Sequence, residues 1–260
     1  MMKVKCVFVW LILTVGTIAT EAAIKDKGLI LYFSFDKSDG GKIEDLTTGK
    51  HHGKLLKGKI DKKNKVYGSG ALQLKDPQSA VEVDSFKELE SYQDNSYLFW
   101  LYFMEGTNGS WSQIVAKKAP GSDRSPGIWI CPAELGLHWR FNPGNQGSNC
   151  IGPDGEGKAF DLKKWVHVAG VKKKNSLIMY MNGKEKGKFA APDKHAQGEE
   201  KLYIGRTGYR SATFIIDDLY VYNRALKEAE VEKVMKGKLL PVDPKQKLTT
   251  TWSTLKLDAL

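Results

Sequence analysis

The sequence predicts an all-β sandwich, and three observations carry that prediction. Short apolar–polar alternations separated by Gly, Asn, Asp and Pro fill residues 28–223, the pattern of many short strands joined by tight turns. No stretch before residue 227 keeps a helical apolar period long enough to compete. The 7 Trp, 10 Tyr and 10 Phe fall largely within these runs, and such side chains favour pleated, half-buried surfaces.

The first strand is expected at residues 29–35, before a polar Gly/Asp/Lys/His loop that runs to His52-Gly53. Strands at 70–74 and 80–83 follow. Residues 97–103 are so aromatic that burial on both faces is expected. Further strands are expected at 114–117, 127–131, 135–141, 165–171, 177–181, 201–205 and 214–222. Asn182-Gly183, between an apolar strand and Lys184, is a two-residue hairpin signal, because both central residues of that turn need positive φ. Asn175 marks a turn before Leu177 in the same manner. One short C-terminal helix is expected at 227–236, with Gly237 as its stop.

Residues 1–23 have the layout of a secretory signal peptide: Lys3 and Lys5, an uncharged apolar run over 7–19, then small residues at Ala22-Ala23. The run is short of the roughly 20 residues a membrane span needs; a retained signal anchor is the alternative. No later stretch could cross a bilayer once the signal is cleaved. The expected protein is secreted, extracellular or periplasmic, with one domain over 24–237 and a tail of unassigned role over 238–260. Cys6 leaves with the signal, and an oxidising compartment then favours a disulfide between Cys131 and Cys150 over two free thiols. The formal charge of +10 comes from lysine runs near turns, such as Lys172-Lys173-Lys174 and residues 184–188. Such runs decorate solvated loops and guard strand edges. Nucleic acid is not an expected partner, because arginines and aromatics are not interleaved on one face. Attraction to an anionic polysaccharide or cell envelope stays open beside simple solubility.

Several stretches, in order, resemble laminin-G-like domains of the concanavalin A-like lectin/glucanase superfamily. They are Leu31-Tyr32-Phe33-Ser34-Phe35-Asp36 with His52-Gly53, Gly70-Ala71-Leu72-Gln73-Leu74 with Ala80-Val81-Glu82-Val83, and Trp165-Val166-His167-Val168-Ala169. Met179-Tyr180-Met181-Asn182-Gly183-Lys184, Leu202-Tyr203-Ile204-Gly205-Arg206 and Ile216-Asp217-Asp218-Leu219-Tyr220-Val221-Tyr222 complete the set. The resemblance covers residues 28–236 and implies a two-sheet antiparallel jelly roll. It does not imply one function, since a fold hosts many.

Strict alternation through 214–222 puts Asp217 on the face of Ile215, Leu219 and Val221. A carboxylate among core residues must be hydrogen-bonded or bound to a cation. The resemblance implies a structural Ca²⁺ here, with Asp36 and Asp217 as ligands; backbone amides of a neighbouring turn are the alternative. Asp218 is expected to face outward or into a groove. For a ligand, the hairpin over 127–141 is the place to look. Trp129, His138 and Arg140 share a face opposite Ile128, Ile130, Leu137 and Phe141, and a ring, an imidazole and a guanidinium together suit a sugar. A loop covering that face would instead make Trp129 part of a second core. Trp111 in its Gly/Asn/Ser loop is a further candidate contact, and Trp139 is expected in the core.

Glu82, Asp84 and Glu88 spell a glucanase-like acidic pattern, but glycosidases need two carboxylates flanking one bond and Phe86 breaks the alternation that would aim Glu88 beside the others. His51-His52 lacks a third spaced ligand, and His167 is expected to be packed. No Ser/Cys/His set suggests nucleophilic catalysis. The expected function is a non-catalytic binding module for a glycan or polysaccharide. A protein-interaction module for an extracellular protein is the alternative, and an endo-glucanase-like glycosidase a distant third.

Overall fold

The computed structural model describes residues 23–152 and 155–239. The signal peptide expected over 1–23 and the tail over 238–260 lie outside the described residues, apart from Ala23, Lys238 and Leu239. In chain order the strands are β1 (Leu29–Phe33), β2 (Lys42–Ile43), β3 (Gly53–Leu56), β4 (Lys59–Asp61), β5 (Ala71–Leu74) and β6 (Ala80–Val83). A short helix α1 (Lys87–Ser91) precedes β7 (Asn95–Tyr102), β8 (Ser112–Lys117), β9 (Gly127–Ile130), β10 (Leu137–Phe141), β11 (Gln146–Gly152) and β12 (Gly155–Glu156). Then come β13 (Trp165–Lys173), β14 (Ser176–Met181), β15 (Lys184–Ala190), β16 (Leu202–Gly205), β17 (Arg210–Ser211), β18 (Phe214–Tyr222) and α2 (Glu228–Met235). Among the described residues no helix is long and apolar enough to cross a membrane.

The strands form two sheets, as expected. The first runs β15-β14-β13-β7-β18-β5-β4, with β1 also on β18. The second runs β12-β11-β10-β9-β8-β16-β6-β3-β2, and the two-residue β17 joins β8 in parallel. Their inner faces meet in one core around Trp139. Its indole stacks on Phe99 at 6.1 Å and meets Tyr97 edge-on at 6.4 Å. It lies on Gly170 of the opposite sheet, where any Cβ would come within 2.5 Å of the ring. A glycine there is what lets the largest side chain cross the interlayer space.

The turn chemistry holds at Asn182-Gly183, where φ is +50° and +76°, the mirror-image geometry that matches strand twist. The lysine run after it is strand β15, at the edge of the first sheet. Its ammonium groups disfavour pairing with another chain. Lys172 breaks the expected pattern. It is buried and donates to the carbonyls of Lys174 (2.9 Å) and Asp193 (3.1 Å). Lys117, also buried, donates to the carbonyls of Lys118, Gly198 and Glu200 at 2.6–2.8 Å.

Cys131 and Cys150 form the expected disulfide, which ties the end of β9 to β11 across β10. Closing a loop of 19 residues removes unfolded-state entropy worth about 3 kcal/mol. The double substitution Cys131→Ser/Cys150→Ser is expected to lower the unfolding free energy by about 2–4 kcal/mol in a denaturant titration. An unchanged midpoint would show that the β9–β11 meander does not need its staple.

Candidate functional site

Two places gather the polar groups that the sequence singled out. The first is a seam along β18. Residues 214–216 pair with β5, residues 219–222 with β1, and both partners lie on the side opposite β7. The register against β7 slips at Asp217–Asp218, and Asp218 has φ +52°. This is a bulge, with one extra residue on the bulged strand. It corrects the strict alternation. Phe214, Ile216, Leu219 and Val221 all enter the main core, whereas Asp217 faces the other side of the sheet, toward α2 and the loop before β5. Its Oδ2 accepts from Val66 N (2.7 Å) and Tyr67 N (3.2 Å). Asp218 is likewise buried rather than outward, and accepts the Tyr32 hydroxyl at 2.7 Å.

Asp36, at the exit of β1, holds the entry to β5 by accepting from Ser69 N and Gly70 N. Two oxygens are left over: Asp217 Oδ1 and Asp218 Oδ2 are buried without a hydrogen-bond partner. Burial pushes both carboxyls well above the usual range; Asp218's charge adds to this at Asp217, and Asp36's charge adds at both. Unpartnered buried carboxylate oxygens are what a hard cation satisfies. The three carboxylates do not all converge within ligand distance of one another. Among the described residues the only such trio is Cys131, Cys150 and His138, whose sulfurs are committed to the disulfide.

The second place is the outer face of the second sheet, where β8, β9 and β10 present Gln113, Trp129 and His138 side by side. Trp129 is 2% exposed, which corrects its expected role as an open stacking platform. Two loops, β8–β9 and β16–β17, close over it. Arg124 lies 5.2 Å above the ring, Tyr209 meets it edge-on at 5.5 Å, and Thr207 sits within hydrogen-bond distance of Gln113 (3.1 Å) and Asp123 (3.0 Å). His138 packs 5.7 Å from Trp129 and 4.7 Å from Trp111. Its Nε2 accepts from Arg140 Nε at 3.2 Å. Burial first, then the Arg140 charge, lowers it to about 4, so the imidazole is neutral. Arg140 also donates to the Asn145 carbonyl at 2.6 Å. The outer layer is Trp111, 36% exposed, with half-buried Arg124, Arg140 and Tyr209. Trp111, His138 and Arg140 are thus brought together, and Arg124 and Tyr209 are partners the sequence reading missed.

Other candidates disperse. Lys201 pairs with both Glu82 (3.2 Å) and Asp84 (3.0 Å), while Glu88 sits on α1. His51 stacks on Phe86 at 3.6 Å, and His52 Nδ1 accepts from Asp45 N at 3.1 Å. Asp45, fully buried, ties the loop by accepting from Tyr32 N, Thr47 N and Oγ1, and His51 N. Ser125, His195 and Asn95 are joined by hydrogen bonds of 2.8 and 3.3 Å, but all three are buried in the interior. A cleft of about 630 Å³ is lined by Trp165, Lys158, Lys164, Lys184 and Asp161 among others.

Residues 75–232 match the family described as the concanavalin A-like lectin/glucanases superfamily. That span is more than half of the chain. The chain belongs to this superfamily. A comparison with curated proteins finds no match. Among solved structures, the binding domain of Paraclostridial Mosquitocidal Protein 1 is similar at TM-score 0.61 and 15% identity, over 82% of this chain and 52% of that one. Domain 4 of AbnA, a GH43 extracellular arabinanase from Geobacillus stearothermophilus in complex with arabinotriose, is similar at TM-score 0.57 and 20% identity, over 80% and 98%. The binding domain of botulinum neurotoxin DC in complex with rat synaptotagmin II gives TM-score 0.58 and 15% identity, over 81% and 52%. The chain thus spans about half of each toxin binding domain. At these identities the likeness concerns the fold, and this superfamily member's site rests on its own residues.

Two buried histidines give the domain an acid limit. Burial lowers His167 to about 3, and burial together with the Lys172 charge lowers His195 to about 4. The unfolded chain takes up these protons near pH 6.5, but the folded chain does not until near pH 4. Their contribution is complete above about pH 6.5 and is lost as pH falls toward 4. Between pH 7.5 and pH 4.5, His195→Asn is expected to lose less of its urea midpoint than wild type does. Parallel profiles for wild type and variant would exclude His195 as a source.

Proposed function

We propose that this chain is an exported, non-catalytic glycan-binding module whose contact surface is the outer face of the second sheet. One observation carries the reading: Trp111, exposed over a third of its surface, stands beside His138 and Arg140 on the same face. An exposed indole stacks on the apolar face of a sugar ring, and a planar guanidinium donates to hydroxyl or acid oxygens in fixed directions. The arabinotriose complex of the similar arabinanase domain supports a saccharide ligand. Against catalysis, Glu82 and Asp84 share one lysine, and the Ser125–His195–Asn95 set has no access to substrate. A protein ligand is the second reading. The synaptotagmin II complex of a similar toxin domain favours it.

We also propose a structural Ca²⁺ at the seam. Asp217 Oδ1 and Asp218 Oδ2 are the donors in search of a partner, Asp36 lies at the same junction of β1 and β5, and main-chain carbonyls or water would complete the shell. A bound divalent cation would hold the carboxylates in their charged forms and fasten β1 and β5 to β18.

A glycan array probed with the purified protein is expected to show selective binding that Trp111→Ala weakens about tenfold or more. A blank array from folded protein would overturn the saccharide reading and turn the search to protein partners. Ca²⁺ is expected to raise the melting temperature of chelator-treated protein, and the Asp217→Asn/Asp218→Asn variant to lose that response. A melting temperature indifferent to Ca²⁺ would rule the ion out.

A further inference from the structure

The outer face of the second sheet carries charge that nothing around it neutralises. Arg124 and Arg140 approach the same Trp129–His138 pair, one above the indole at 5.2 Å and one on the imidazole at 3.2 Å. Burial first, then the Arg124 charge, depresses Arg140. Among the described residues neither has a carboxylate within ion-pair distance. Asp123, the acid next to Arg124, lies against Thr207 instead. His138 is neutral and supplies no negative charge. Arg124 Nε is buried without an acceptor. By contrast, Arg224 is held by Glu230 in a two-pronged pair at 2.7 and 3.1 Å, so the same fold does provide carboxylate partners for arginine.

Two guanidiniums on one face without a counter-ion repel each other and leave donors unused. An oxyanion held between them offsets both costs, because its oxygens accept charge-assisted hydrogen bonds from each guanidinium. From this pair, with Trp111 beside it as the ring contact, we infer that the glycan bound here is acidic and that Arg124 and Arg140 clasp its carboxylate or sulfate. This rests on the glycan-binding reading and names the ligand class within it. The lysine-lined cleft is a weaker competitor. Lys158 and Lys164 already pair with Asp161 at 2.8 and 3.0 Å, and a mobile ammonium attracts charge without fixing its geometry.

The test is binding of the purified full chain, with Ca²⁺ present, to an array carrying sialylated, uronate-containing and sulfated glycans beside their neutral parents. Acidic glycans are expected to bind roughly tenfold or more tightly than the parents. Arg124→Gln/Arg140→Gln should abolish that gap, while Lys184→Gln/Lys188→Gln, which removes the same charge from the edge strand, should preserve it. Arg140→Lys should keep only part of it, and this milder change guards against a folding defect in the double variant. Whether the sialylated and uronate or the sulfated members bind assigns the acid. Equal binding to acidic and neutral glycans, or a gap that survives loss of both arginines, overturns the inference and leaves the glycan-binding reading standing. Binding to neither overturns both.

Discussion

The domain depends on one extra residue in its central strand. β18 pairs with β7 along one edge and with β5 and β1, end to end, along the other. A regular nine-residue strand could not send Phe214, Ile216, Leu219 and Val221 into one core, because the parity of the last two is opposite to that of the first two. The bulge at Asp217–Asp218 absorbs the mismatch. The same step turns two carboxylates and Tyr220 to the far side, where Tyr220 stacks on Tyr32 at 4.3 Å and 7°. There they meet the first turns of the loop before β5 and, through Tyr67 and the Met235 carbonyl (2.8 Å), helix α2. Core packing, the join between β1 and β5, and the docking of the helix therefore share a single irregularity, and the acidic seam is its by-product.

The second sheet manages polarity differently. Its outer face is covered by loops whose polar groups settle one another: Thr207 with Gln113 and Asp123, Arg140 with His138 and Asn145. The disulfide and the Asn142 amide, bonded to the Arg124 carbonyl at 2.8 Å, fasten the surrounding chain. On this face Arg124 and Arg140 are held by ring contacts, whereas Lys184 and Lys188 decorate the edge strand β15. That division follows from the chemistry of the two cations: a planar fork reads an acceptor's orientation, and a flexible ammonium does not.

Much of this was legible in the sequence, and the failures have physical causes. Hairpin Asn182-Gly183, the core position of Trp139 and the Cys131–Cys150 pair follow from local rules about φ, alternation and redox compartment. Asp217 was flagged as an acid among apolar neighbours, but its face was misread, since period-two reasoning cannot see a bulge whose extra residue is set by three partner strands. Alternation places Trp129 on the correct face of β9 but leaves open whether a loop covers it, and the structure shows the covered alternative. Its cover, Tyr209, lies 80 residues on and arrives through tertiary packing alone. Lys172 reads as a solvated charge, and only the folded loops show the carbonyls that hold it. Asp45 gave no signal, because a buried acid that ties a loop looks like any other polar loop residue.

An unpaired arginine pair is a standing cost to the free protein, and its retention constrains what the face can be for. If Arg124 and Arg140 served the fold alone, acidic neighbours of the kind that hold Arg224 would stabilise them better. Instead Arg124 is held over an indole and Arg140 is hydrogen-bonded to an imidazole nitrogen, arrangements that orient each guanidinium while leaving its charge uncompensated. Fixing donors before the ligand arrives lowers the entropy lost on binding, and leaving them unneutralised reserves their strongest bonds for an incoming anion. The sandwich supplies the rigidity that this requires. Trp139 locks the two sheets beneath the face, and the disulfide holds β9 to β11 at its margin. A rigid surface with oriented, uncompensated charges is the pattern expected of a site shaped for recognition rather than for stability.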